Sequence, residues 1–276
     1  MKIVMQNYAN QQSTEALYLT ECFNISGIET TLWHTEQLSA FDVLDVADPD
    51  VVICSLSKIS LDIFKAISGT KREMIVNVTG ASQKDIDLLE KAMDKNSIKC
   101  PMLFGRESEG TFKSKIKYTS VLSGADVFLK NLTNVIPDYR INTLYIVDSN
   151  QEIDDKEPHH IVSTNEGVKC DMVVPVNALY KVCQNYNKVV IKQSLADIPQ
   201  SVFDAIFYSD NVSIESAGDN SEQVQKSIAS IFGDSPKKSI LQHVCTRRAS
   251  RLLQKIGCKE QADRARKIDI NSIFGE

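Results

Sequence analysis

The chain has 276 residues, 42% hydrophobic and 24% charged, with a formal net charge of −5. It is an ordinary globular sequence, long enough for one large domain or two compact ones. No apolar run approaches the ~20 residues needed to span a bilayer, so no membrane insertion is expected. The seven Cys include no Cys-x-x-Cys pair, which argues against a disulfide framework and for buried small hydrophobes in a reducing compartment.

The charge is unevenly spread. Between Arg247 and Lys267 eight basic residues stand against Glu260 and Asp263, a local +6 that leaves −11 on the remainder. His159 and His160 are adjacent and have no Cys or His at metal-ligand spacing, so a surface pair is expected and no metal site. The amino terminus, with one charge and a short apolar run, reads as a first strand and not a signal peptide, which places the protein in the cytoplasm.

Residues 3–5 form that strand. A helix over 14–23 follows, with Ser13 as its cap, Glu15 in the first turn and Gly27 closing it. A second strand falls at 31–33. After an amphipathic segment at 38–46, the run DPDVVICS gives a third strand that is apolar throughout, as in a parallel sheet buried on both faces. The alternation then repeats: helix 61–67, strand 74–78, helix 83–93, strand 102–104. Strand-helix alternation at this spacing predicts right-handed βαβ units and a doubly wound sheet.

The carboxyl ends of these strands carry polar, permissive turns: Gln6-Asn7-Tyr8, Ser55-Leu56-Ser57, Thr79-Gly80 and Gly105-Arg106-Glu107. Ligands collect at such a rim. No G-x-G-x-x-G follows the first strand and no G-x-x-x-x-G-K-[ST] occurs, which disfavours a Rossmann dehydrogenase or a phosphate-loop NTPase. Residues 106–117 read as a charged loop and 131–140 as a connection between halves.

The second half restarts with strands at 144–147, 161–163 and 172–174 and a helix over 178–186. Its centre is the stretch KVVIKQSLADIPQSVFDAIFYSDNVSIES, a buried strand at 189–191, a polar turn, a helix opened by Asp197 and Pro199, and a strand at 212–214. The turn passes from a strand's carboxyl end to a helix amino end, where unpaired N–H groups favour an anion. A helix over 222–232 and a long helix over 239–256 follow. Arg247, Arg251 and Lys255 stand four apart on the latter.

This central stretch resembles the donor-binding segment of GT-B glycosyltransferases. There an Arg-x-aromatic-Glu pattern brings Arg to the diphosphate and Glu to the ribose of a nucleotide sugar. The matching positions here are Ser201, Phe203 and Asp204; Ser201 stands where the pattern has Arg, and Asp204 is shorter than Glu. The start, with Ser13, Glu15, Tyr18 and Leu19, is similar to the phage DNA glucosyltransferases. HVCTRRASRLLQKIG, with His243 and Arg248, is similar to the last helix of spore-coat-type glycosyltransferases.

The resemblance implies an α/β fold of two Rossmann-like domains in a compact GT-B arrangement, with a cleft between them and a C-terminal helix crossing back. The domains are 1–135 on the acceptor side, 136–258 for the donor nucleotide, and 259–276 as the returning helix. It implies a glycosyltransferase that requires no cofactor, needs no metal and uses a nucleotide sugar, a UDP-sugar, as substrate. Donor contacts fall at Val174, Lys192, Gln193, Ser194, Asp197, Gln200, Ser201 and Asp204, with Arg106 and Lys192 toward phosphate. By position, Glu15 or Glu107 is the candidate catalytic base, and Asn7, Tyr8, Ser13, Thr79 and Gly80 line the acceptor side. The acceptor is a modified DNA base met by a polyanion patch of Arg247, Arg248 and Arg251, or a small molecule, glycan or protein. A phage origin would make the location host cytoplasm. The alternative is a non-catalytic binding or assembly protein that retains the fold.

Overall fold

A computed structural model of the chain describes residues 1–8, 14–107, 110–121, 124–125, 143–195, 198–218 and 221–268. The chain divides into two compact units. The first comprises Met1–Ala9, Glu15–Leu122 and Thr246–Ile268, and the second Asn10–Thr14, Ser123–Cys245 and Asp269–Glu276.

The first unit is built on a parallel sheet of β1 (Lys2–Gln6), β2 (Glu29–Trp33), β3 (Val51–Ser55), β4 (Glu73–Asn77), β5 (Lys99–Gly105) and β6 (Tyr118–Ser120). Their order is β2-β1-β3-β4-β5-β6, a doubly wound arrangement that reverses direction between β1 and β3. The apolar run of β3 lies at the centre with Val52 and Cys54 fully buried, because helices cover the face it presents. These are α2 (Ala40–Ala47), α3 (Leu61–Ile67) and α4 (Gln83–Lys95), which contribute Val43, Leu44, Ile63, Ile67, Ile86 and Met93 to one core.

Local signals fix the helix ends. Ser82 caps α4 by accepting from the Asp85 N–H, while the Asp85 carboxylate accepts from the Ser82 N–H at 2.9 Å, a reciprocal capping box. Helix α2 stops at Asp48, whose left-handed backbone is held by Arg72, which donates to Leu44 O and the Asp48 carboxylate at 3.0 Å each. Helix α1 (Glu15–Ile25) packs on α10 (Lys259–Lys267), whose buried residues are the small Ala262 and Ala265.

The second unit holds a parallel sheet of β7 (Thr143–Val147), β8 (His159–Ser163), β9 (Met172–Val173), β10 (Lys188–Gln193) and β11 (Val212–Ser216), ordered β11-β10-β7-β8-β9. From β7 the chain runs one way to β8 and β9, then returns to β10 on the other side, so the reversal lies between β7 and β10. Helices α5 (Val176–Cys183) and α6 (Gln200–Tyr208) close the core with Leu179, Val202, Phe203 and Ile206. Helix α7 (Ser221–Phe232) adds Phe232, its ring 5.2 Å from that of Phe203 and tilted by 56° to it. No helix among the described residues is long and apolar enough to cross a membrane.

The sequence predicts one helix over 239–256, and the structure divides it. Helix α8 (Pro236–Ser239) runs into a 3-10 turn (Ile240–Gln242), and α9 (Cys245–Lys255) begins afresh. At the break His243 O accepts from Ala125 N and Cys245 N donates to Ala125 O, both at 2.9 Å, forming a β-bridge between Ala125 and Val244. Backbone groups spent on a bridge cannot also serve a helix. The expected connection over 131–140 lies outside the described residues.

Gly124 makes this bridge possible, since a Cβ there would lie 2.9 Å from His243 O and 3.1 Å from Val244 C. Gly124→Ala is expected to destabilise the protein by about 1–3 kcal/mol through overpacking against rigid backbone. Urea denaturation checks this, and a midpoint equal to wild type would show that the bridge yields freely.

Candidate functional site

Each sheet gathers its polar turns at the carboxyl rim. In the first unit the reversal point is stitched by Gln6, which donates from Nε2 to Lys58 O at 3.0 Å and accepts from Ser55 N at 3.1 Å. Asn7 lies beside it, its Nδ2 3.0 Å from His34 Nδ1. Tyr8 turns inward. Burial, then the charge of Glu15, pushes its hydroxyl well above the usual phenol range, with Asn77, Arg248 and Arg106 acting in the opposite direction.

Glu15 heads α1, and its carboxylate is paired with the Arg248 guanidinium of α9. Both side chains are only 3% exposed. Arg248 also donates from Nη1 to Val121 O at 2.7 Å. Burial works to lower the Arg248 pKa, but Glu15, Tyr18 and Tyr8 outweigh it and the value stands above the usual one. The geometry thus gives Glu15 the work of a counter-charge. It also separates Arg248 from Arg247 and Arg251, with which the sequence groups it: Arg251 and Lys255 are exposed, Arg247 is half-buried, and Arg248 points inside.

The other carboxylate, Glu107, follows β5 at the rim and is half-buried. Its Oε1 accepts from Gly80 N at 2.6 Å and its Oε2 from the Tyr118 hydroxyl at 3.2 Å. Burial and the Glu107 charge push the Tyr118 hydroxyl's pKa up. The carboxylate sits over Gly105, where a Cβ would come within 3.2 Å of Thr79 N. Beside it, a pocket of about 450 Å³ opens between α3 and α4, lined by Leu56, Ser57, Phe64, Thr79, Gly80 and Leu88 among others. Its size and largely apolar lining are those of a small-molecule site. The structure therefore brings together Thr79, Gly80 and Glu107. Ser13 lies outside the described residues.

In the second unit, Lys192 of β10 pairs with Glu215 of β11 at 2.9 Å, its ammonium 5.9 Å from the centre of the Tyr145 ring. The Tyr145 hydroxyl donates to Asp155 at 2.7 Å, a bond that, with burial, pushes its pKa up to about 12. Gln193 is buried and donates to Leu195 O at 2.9 Å. Ser194 N and Leu195 N both donate to Asp148 Oδ2, at 2.7 and 3.2 Å. Val174, after β9, is buried in the core, and Asp197 lies outside the described residues.

Helix α6 carries Gln200, Ser201 and Asp204 inward. Gln200 accepts from Thr14 N at 2.9 Å and donates from Nε2 to Thr14 Oγ1 at 2.7 Å and to Asp204 Oδ2 at 3.3 Å. Asp204 is 0% exposed, so its carboxylate meets the protein and offers no surface to a ligand in this conformation. His243 is packed against Phe203 and Phe232, its Nε2 3.1 Å from Ile231 O.

Sequence reasoning missed Asp148 and the Gln200–Thr14 pair. Asp148 carried a usable signal, being the first residue past a strand at a sheet reversal. The Gln200–Thr14 pair spans 186 positions and carried none. Among the described residues no cluster of His, Cys, Asp and Glu is disposed to hold a metal ion.

No protein-family model matches the chain, and no curated protein matches it in sequence. Solved structures do. The chain is similar to the DNA modifying enzyme β-glucosyltransferase, solved with and without uridine diphosphoglucose, with a TM-score of 0.52 and 14% identity over 98% of this chain and 100% of that one. Two further matches are the T4 phage enzyme in complex with UDP-glucose (TM-score 0.47, 14% identity, 97% and 100% covered) and the glycosyltransferase SnogD of Streptomyces nogalater (0.46, 8%, 97% and 98%). The first match shows the fold: two parallel-sheet α/β units of the kind found in GT-B glycosyltransferases.

Exchanging Glu15 for Gln leaves Arg248 buried without its counter-charge, and the expected loss is about 3–5 kcal/mol. Replacing Glu15 and Arg248 together by apolar residues of similar volume is expected to cost less. Chemical denaturation of the three proteins measures the difference; a single change no costlier than the double one would remove the pair from its structural role.

Proposed function

We propose that the protein is a glycosyltransferase that moves a sugar from a nucleotide sugar, a UDP-sugar, to an acceptor hydroxyl. The observation that carries this reading is the whole-chain likeness in fold to a β-glucosyltransferase solved with uridine diphosphoglucose. The polar rims at both sheet reversals, where open α/β sheets take ligands, support it.

In this reading the nucleotide lies on the carboxyl rim of the second unit near Gln193 and Ser194, with Lys192 exchanging Glu215 for phosphate as its cation. Glu107 removes the acceptor hydroxyl proton, the acceptor oxygen bonds to the anomeric carbon, and the bond from that carbon to the diphosphate oxygen breaks, releasing the nucleoside diphosphate. General-base help of this kind contributes about 10²–10⁴-fold. Glu107 is preferred to Glu15 because it stands at the rim beside the Thr79–Gly80 pocket, whereas Glu15 neutralises Arg248. Asp204 acts through Gln200, holding the start of α6. The reaction needs no metal and runs in the cytoplasm.

The acceptor side of the proposal is a modified base in DNA. Its support is the stripe of Arg247, Arg251 and Lys255 on α9, none of which is paired among the described residues. One observation favours a second reading, a binding protein that kept the fold without the chemistry. Ser201 stands where the resemblance places Arg, and Asp204 is sealed.

UDP-glucose at 100 times its Kd is expected to stabilise the protein by about 2.7 kcal/mol, a shift visible in thermal unfolding across a panel of nucleotide sugars. Glu107→Gln is expected to keep that shift while turnover falls at least about 10²-fold. No shift with any nucleotide sugar in folded protein would transfer the conclusion to the binding-protein reading.

The joint Arg247→Ala and Arg251→Ala change is expected to weaken duplex DNA binding and to flatten the slope of log K against log salt by about 2, close to one for each phosphate no longer neutralised by an arginine. An unchanged slope would point to a small acceptor in place of DNA.

A further inference from the structure

The turn after β10 already holds an anion. Its first two N–H groups, of Ser194 and Leu195, converge on one oxygen of Asp148. Asp148 is the first residue past β7, the strand paired with β10, so the contact lies at the reversal point of the second sheet. That is the position at which a doubly wound sheet receives its ligand. The other Asp148 oxygen is 3.5 Å from Gln151 Nε2, and the Asp148 carbonyl accepts from Asn165 Nδ2 at 3.0 Å. Among the described residues no Lys or Arg is paired with the Asp148 carboxylate, and the nearest β10 cation, Lys192, is paired with Glu215.

We propose that Asp148 is the internal occupant of a phosphate cradle, and that a diphosphate-bearing ligand binds at Ser194 and Leu195 by displacing it. The physical argument is exclusion. Two N–H groups directed at one oxygen cannot serve two anions at once, and two anions at hydrogen-bond separation with no cation between them repel. The Leu195 contact with Asp148 is exposed and the Ser194 contact half-buried, so solvent reaches the cradle from one side. The protein thus exists in a closed form, with Asp148 in the cradle, and an open form that takes phosphate. Apparent affinity is the intrinsic affinity reduced by the open fraction, so an open fraction of about a tenth makes removal of the carboxylate worth about tenfold in Kd. Asp148 becomes the residue that sets how strongly the site holds phosphate, and the nucleoside part of a ligand is indifferent to it.

The nucleotide part of this inference rests on the donor reading above; the cradle itself does not. The test therefore uses inorganic pyrophosphate, UDP and uridine on the full chain, comparing wild type with Asp148→Ala and Asp148→Asn. Amide NMR follows Ser194 and Leu195. The alanine change empties the cradle, while the asparagine change keeps an oxygen acceptor for the turn and removes the charge, so the comparison survives if the alanine protein does not fold.

The expected result is perturbation of the two amides by pyrophosphate, a gain of about tenfold or more in pyrophosphate and UDP affinity, and no gain for uridine. A gain for pyrophosphate without one for UDP upholds the cradle and overturns the donor reading. Amides untouched by pyrophosphate in a folded variant, or equal gains for uridine and UDP, would overturn the cradle and leave Asp148 as a structural tie.

Discussion

The pairing of Glu15 with Arg248 is the constraint around which the first unit is assembled. The two residues are 233 positions apart and both are buried. A guanidinium taken out of water is strongly unfavourable unless a carboxylate and further acceptors meet it. Here Glu15 and Val121 O do so. The first unit is made of three separate stretches, and α9, which carries Arg248, must return before the charge at the head of α1 is neutralised. The same pair sets the field around Tyr8, where the Glu15 and Arg248 charges act against each other on one buried hydroxyl.

A second regularity links the two rims. In the first unit the Glu107 carboxylate, from the end of β5, takes the Gly80 N–H in the turn after β4. In the second, the Asp148 carboxylate, from the end of β7, takes the Ser194 and Leu195 N–H groups in the turn after β10. Each rim thus uses a carboxylate from one strand end to satisfy the backbone donors of its neighbour. Turns at strand ends leave donors that need partners, and acidic side chains are strong local acceptors. The arrangement shapes the chemistry open to each rim: the first presents a fixed carboxylate next to an apolar pocket, and the second presents a pair of donors already occupied.

Asp204 shows how the same residue type takes a different role one layer down. On α6 its neighbours face the core, so its carboxylate is drawn into the Gln200 and Thr14 network and raises the pKa of Cys183, itself pushed up to about 12 chiefly by burial. A helix amino end at a sheet rim looks alike from sequence whether its acidic residue faces out or in. Which one holds depends on the rotation of the helix about its axis, and apolar contacts of Val202, Phe203 and Ile206 fix that rotation.

By itself the sequence determined the elements and their class. The apolar run of β3 and the strand-helix alternation are local patterns, and each is read within a few residues of chain. They suffice for two parallel sheets with polar carboxyl rims, and so for Thr79, Gly80, Glu107 and Ser194 as rim residues. Tertiary structure alone decided which charged side chains face inward, that Arg248 leaves the Arg247 and Arg251 stripe to meet Glu15, that residues 239–256 break at a bridge to Ala125, and that Asp148 sits in the β10 turn. Each of these rests on a partner tens to hundreds of positions away. A charge, a donor or a strand edge states only that it needs a partner; which partner is supplied by chain folding, because distance along the sequence does not encode distance in space.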